Sequence, residues 1–287
     1  MDTDISQLLG EWPYEAGRIN VRLIERADGA QRVQVRLDLG LLQMHLDGRP
    51  DGQRPHGFES LLDLVEAQME GEFEGPADGE PESGPGPIDP PASSSSPPEE
   101  DLVEGPLPPP RRSDDDDAAG LSREQVAALR DEAIQYYHRY LALLALEDFE
   151  RVVRDTTRNL RVLDVIERYA ESDEDRQSVA PTRSHVTMMR ARALASMALR
   201  DNEPKAAVAA IDEGIDALRR HFDGIGHAEM FERSNEVQVL QSMKQALMPK
   251  LPVSQKAELR KRLDDAVSQE NYRLAAILRD ELNSIPD

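Results

Sequence analysis

The side chains best placed to do chemistry cluster in residues 48–57, GRPDGQRPHG, where Arg49, Arg54 and His56 stand among three glycines and two prolines. A loop stiffened this way could hold a carboxylate or a phosphate, because the arginine fork suits bidentate contact. The same residue types also build ordinary turns. A second set is aromatic. Tyr136, Tyr137 and Tyr140, with His138, recur at helical spacing, which fits either a peptide-binding face or a packed core. His221 and His227 flank Asp223-Gly224-Ile225-Gly226, a helix-ending turn rather than a ligand set. The carboxylates Asp173, Glu174 and Asp175 lack the spacing of a calcium loop and are expected as a solvated loop. No Walker-type phosphate loop, HExxH or GxSxG occurs. The expectation is a protein that is not an enzyme and has no catalytic residue, metal or cofactor.

A different kind of chemistry, side-chain packing, is written into residues 256–285. Leu259, Leu263, Ala266 and Val267 recur at the i, i+4, i+7, i+8 spacing of one helix face, and Ser254 is placed to cap that helix after Pro252. Leu274, Leu278, Leu282 and Ile285 mark a second face. Glu270, Asn271 and Tyr272 make the bend between them, and the small side chains of Ala275 and Ala276 allow close approach of the two helices. Two helices this short cannot enclose a core, since chains below ~40 residues need a metal, a disulfide or a partner. Their apolar stripe must be covered by a second hairpin or by the helices that precede it.

This run resembles the UVR motif, the helix-loop-helix of the excinuclease subunits UvrB and UvrC that also occurs in some Clp-type chaperone ATPases and in activators of protein arginine kinase. The residues that carry the resemblance are Leu259, Leu263, Ala266, Asn271, Tyr272, Ala275, Ala276, Leu278, Arg279 and Asp280. Asn271 stands where the family has an acidic residue, and the methionine often present near residues 267–269 is absent. The zinc-binding cysteine pairs of some relatives are also missing. The resemblance implies protein pairing through Leu259, Leu263, Tyr272, Ala275, Ala276, Leu278, Arg279 and Leu282, with self or a second UVR-bearing chain as the protein partner. It also implies the alternative of an accessory factor in nucleotide-excision repair that associates with excinuclease subunits.

Composition narrows the class. With 31% charged residues and 4% aromatics in a chain of 287 residues, one large core is not expected. The absence of cysteine excludes disulfides and thiolate sites and fits a reducing, cytoplasmic setting. The acidic N-terminus lacks the positive charge of a signal peptide, and no apolar run is long enough for a membrane span. Net charge is −22, and residues 70–120 hold 15 acids against 2 bases, whereas residues 250–287 hold 7 of each. Direct nucleic-acid binding normally needs a basic surface, so the expected partner is a protein.

The elements that must position these residues follow in order. The fold class expected is mainly α with a small α+β N-terminal domain. In residues 1–69, Val21 and Leu23, then Val33, Val35, Leu37 and Leu39, then Leu42, Met44 and Leu46 alternate with polar residues as three strands. Asp28-Gly29 marks the first hairpin turn. Residues 58–69 predict a helix laid on the sheet, and Trp12 is expected to seal an edge of that core. Residues 70–120 contain 12 of the 20 prolines and are expected as a disordered linker that lets the N-terminal domain move. Residues 121–249 are helical by pattern, with Ser122 as a cap, two helix pairs and a last helix over 228–248. The pairs resemble degenerate tetratricopeptide repeats, with Leu146-Glu147-Asp148 and Leu199-Arg200-Asp201 as equivalent turns. Residues 250–287 are the UVR-like hairpin.

Overall fold

The structure, a computed structural model, describes residues 5–71, 120–247, 255–268 and 274–279, with side chains of the 255–268 helix described from Arg262 onward. The expected linker falls outside them apart from its ends, as do the cap at Ser254 and the bend at Glu270, Asn271 and Tyr272. Among the described residues the chain is mainly α with one small sheet. Period-two alternation produces β1 (Asn20–Glu25), β2 (Gln31–Arg36) and β3 (Leu41–His45), an antiparallel meander in that order. Leu23 lies opposite Val33, and Val33 opposite Met44, so one face is apolar. The Asp28-Gly29 turn forms with Gly29 at φ +80°, and the Asp28 carboxylate accepts from the Ala30 amide at 2.9 Å. On the opposite face Arg22 donates to Gln34 and Gln34 to Gln43, each at 2.8 Å. Trp12 ends α1 (Ser6–Glu11) and lies under the Arg22 guanidinium at 4.2 Å, so it covers this polar face and not the core edge.

α2 (Leu61–Met69) begins at Ser60, whose hydroxyl accepts from the Asp63 amide. It does not lie on the sheet. Its Leu62 and Val65 pack among Leu121, Val126, Leu129 and Val162, while the sheet residues Val33 and Met44, with Leu46 just after β3, belong to the cluster of Tyr140 and Leu143. The longer apolar stripe of α3 (Arg123–Ala145) covers the sheet in its place.

α3 starts with a reciprocal capping box between Ser122 and Gln125. It packs on α4 (Phe149–Tyr169), α4 on α6 (Ala180–Arg200), α6 on α7 (Pro204–Gly224), and α8 (Asn235–Leu247) on both α6 and α7. Gly214 of α7 lies against Ala191 of α6, where a Cβ would collide. The two helix pairs turn alike. Glu147 and Asn202 take left-handed φ of +59° and +63°, and the next amides, of Asp148 and Glu203, return to the carbonyls of Leu143 and Ala198. Glu147 therefore matches Asn202 and not Arg200. In this alignment Tyr140 matches Ala195 and Val152 matches Ala207, all four 0% exposed.

Two further expectations change. The run Asp173-Glu174-Asp175 is not a loop but the first turn of α5 (Asp173–Ser178), where acids complement the helix dipole and Ser172 caps. The helix expected over 228–248 is split into a 3-10 turn, Ala228–Arg233, and α8, because Ser234 is extended and its hydroxyl accepts from the Val237 amide.

Nor does the N-terminal unit stand free of the helices. Arg139, 1% exposed, meets Asp155, 0% exposed, through two hydrogen bonds of 2.7 and 2.8 Å, and its third nitrogen donates to the carbonyls of His45 and Gly48 at 3.0 and 2.7 Å. Arg154 donates to Asp47 and to the Leu46 carbonyl. Buried Glu132 accepts from the Leu61 amide at 2.8 Å and from Arg158. The expected freedom of movement is replaced by a docked unit with a shared core.

Candidate functional site: the C-terminal hairpin

α9 (Gln255–Ser268) and a helical stretch over 274–279, α10, form the hairpin. Leu263, Ala266, Ala275 and Leu278 make its inner seam, with Ala266, Ala275 and Leu278 at 3%, 8% and 2% exposure. Two alanines facing one leucine explain how the helices approach closely, since small side chains leave little to separate the backbones. This cluster is distinct from the two clusters that hold the sheet and the array.

Much of the apolar surface stays outside the seam. Val267, Leu274 and Ile277 are 50%, 39% and 57% exposed. At 100° per residue Ala275, Leu278, Leu274 and Ile277 sweep an arc of about 160° on α10, wider than the stripe one neighbouring helix covers. Ala276 falls outside this arc and is exposed, so of the two alanines only Ala275 serves the approach of the helices. Arg279 is exposed at the end of α10. Leu259 lies within α9, with its side chain outside the described set, and Tyr272 and Leu282 lie outside the described residues.

The loop of Arg49, Arg54 and His56 is placed differently from an open anion site. Arg49 turns inward to Asp51 at 3.0 Å and Glu132 at 3.6 Å, while Arg54 points to solvent, 3.9 Å from Glu59. His56 occupies a left-handed conformation in a short 3-10 turn. Gly52, at φ +77°, lies against the His45 ring where a Cβ would collide. The three side chains do not converge.

The tyrosine stripe divides in the same way. Tyr140 is a core residue, and the Tyr136 ring stacks with the guanidinium groups of Arg139 and Arg158, 4.7 and 4.1 Å from its centroid, with burial pushing its hydroxyl up to about 12. Tyr137 is half-exposed and touches His138, Tyr140 and His185. Sequence reading missed the partners of this stripe. Glu132, Tyr136, Arg139 and Leu143 share one helix face, so charges at core spacing were the available signal. Among the described residues no group of three or more potential ligands could hold a metal ion, and no helix is long and apolar enough to cross a membrane.

Residues 254–285 match the family model of the UvrB/uvrC motif, UVR. The chain therefore carries a UVR motif, which in UvrB and UvrC is a protein–protein interaction element. Comparison with the curated proteins and with the solved structures finds no match.

Proposed function

We propose that this protein is a non-enzymatic adaptor whose UVR hairpin pairs with a second hairpin, from another UVR-bearing chain or from a second copy. The observation that carries the reading is the surplus of apolar surface at Val267, Leu274 and Ile277 beside a seam that, among the described residues, shares no cluster with the array. A second hairpin laid antiparallel would cover that surplus, and a two-fold axis would let the same residues serve both sides. The unit formed by sheet and array then acts as the body that the hairpin tethers to its partner. Sedimentation of the full chain, alone and with a purified UVR-bearing protein, tests the proposal. A strictly monomeric chain that binds no such protein would refute it.

The match to the UvrB/uvrC motif favours one second reading, an accessory role in nucleotide-excision repair. It requires that the partner be an excinuclease subunit. Capture of purified UvrB or UvrC in preference to a UVR-bearing chaperone or kinase activator supports that role, and the reverse preference removes it. Under either reading direct binding to nucleic acid is not expected, because a net charge of −22 repels phosphates.

A further inference from the structure

A groove runs along one end of the array, between the end of α4, α5 with the start of α6, and the end of α7 with the 3-10 turn after it. Ala180, Pro181, Ala217 and Phe222 contribute its apolar lining, and Ile225 and Met230 beside them are 39% and 45% exposed. Its volume of about 1520 Å³ exceeds that of ordinary small-molecule pockets, ~300 to 1,000 Å³, and suits a length of polypeptide. Charges of both signs line it, Arg176, Arg183 and Arg220 with Glu167, Glu229 and Glu236. Arg183 is engaged by Asp164 and Glu167. Arg176 makes an exposed pair with Asp173, and Arg220 has no ion pair among the described residues.

The chain itself enters the fold at the edge of this groove. The Leu121 amide donates to the Tyr169 carbonyl at 2.7 Å and the Glu171 amide to the Leu121 carbonyl at 3.1 Å, which fixes Gly120 beside the end of α4. Arg176 donates to the carbonyl of Ala170, the residue paired with Leu121, at 2.7 Å. Immediately upstream stand residues 106–117, PLPPPRRSDDDD. Asp117 is three residues from Gly120, about 10 Å of chain at most, and Leu107 is thirteen, about 45 Å at most.

We propose that residues 106–117 of the same chain occupy this groove. Leu107 and the prolines lie on Phe222, Ile225 and Met230, Arg111 and Arg112 meet the groove's glutamates, and Asp114–Asp117 meet Arg176 and Arg220. A proline-rich segment is suited to such a surface because its extended helix is preformed and leaves its backbone solvated. Covalent tethering supplies an effective concentration on the order of millimolar, so individually weak contacts suffice. The proposal is independent of the hairpin.

The test replaces residues 106–117 in the full chain by an equal length of Gly and Ser and titrates it with a fluorescent synthetic peptide of that sequence. The replaced chain should bind the peptide one to one, and the unaltered chain at least about tenfold more weakly, because its own segment competes. Arg220→Glu and Ile225→Asp, made in the replaced chain at exposed positions, should each weaken binding about tenfold or more with circular dichroism unchanged. Absence of binding, equal binding to both chains, or insensitivity to both substitutions would overturn the proposal. So would competition that grows with the concentration of the unaltered chain, which would make a second copy the occupant.

Discussion

Arg139 and Asp155, from adjacent helices, meet in a two-point ion pair sealed from solvent, and the remaining arm of the same guanidinium holds the backbone of β3's exit. Asp155→Ala leaves an unpaired charge inside, at a cost of about 3 to 5 kcal/mol. At roughly 2 to 4 °C per kcal/mol for a domain of this size, the unfolding midpoint should fall by roughly 6 to 20 °C. The double variant Arg139→Met with Asp155→Leu should recover part of that loss, since an apolar pair carries no desolvation cost. Recovery stays incomplete because the His45 and Gly48 carbonyls lose their donor. Calorimetry of the three proteins checks this, and a double variant less stable than Asp155→Ala would contradict it.

The shared core changes what proteolysis should give. Cleavage within residues 72–119 should leave two fragments that co-elute on gel filtration as a one-to-one complex, held by Val33, Met44, Leu62 and Val65 against the array. Separation of the fragments without denaturant would show that the docking is weak.

For the hairpin, seam and outer face should respond differently. Ile277→Asp places a charge on a residue that is 57% exposed, so helix content should persist while association with a UVR-bearing partner falls at least about tenfold. Leu278→Ala removes the main seam side chain and should unravel the hairpin itself. Sedimentation paired with circular dichroism separates the two effects. Equal loss of helix in both would defeat the assignment of faces.

Acid should destabilise the body of the protein before its carboxylates titrate. Burial holds the imidazoles of His45, His185 and His221 below their ordinary value, with Arg32 adding to this at His45 and Arg183 at His221. For a depressed base the unfolded chain takes up protons first. Stability is therefore complete above about pH 7 and declines as pH falls through about 6.5 toward the folded values. The thermal midpoint should drop between about pH 7 and 5.5, and His221→Asn should remove part of the slope. A flat midpoint over that interval would rule this out.

The local elements are legible in the sequence wherever one short-range rule decides them. Period-two alternation locates the strands, Asp28-Gly29 their first turn, and Ser122 the start of α3. The spacing of Leu263, Ala266 and Leu278 likewise locates the seam of the hairpin. What stays hidden depends on partners distant in sequence. Arg49 looks free because Glu132, its inward partner, lies on another element, and α2 looks like the lid of the sheet because α3's claim to that face is not a local property. Ala276 looks equivalent to Ala275 until helix rotation turns it outward. The groove is invisible for the same reason, being assembled from helix ends that lie far apart in sequence.

The turn at Glu147 carries a consequence for engineering. Asn tolerates left-handed backbone, as at Asn202. A glutamate in that conformation costs roughly 1 to 2 kcal/mol, which the packing of α3 on α4 must overcome. The two otherwise matching corners therefore differ in strain. Glu147→Gly should raise stability by up to about 1 kcal/mol without touching a contact, readable as a shift in urea midpoint at constant slope. The first helix pair thus holds a reserve of stability that the second has already spent.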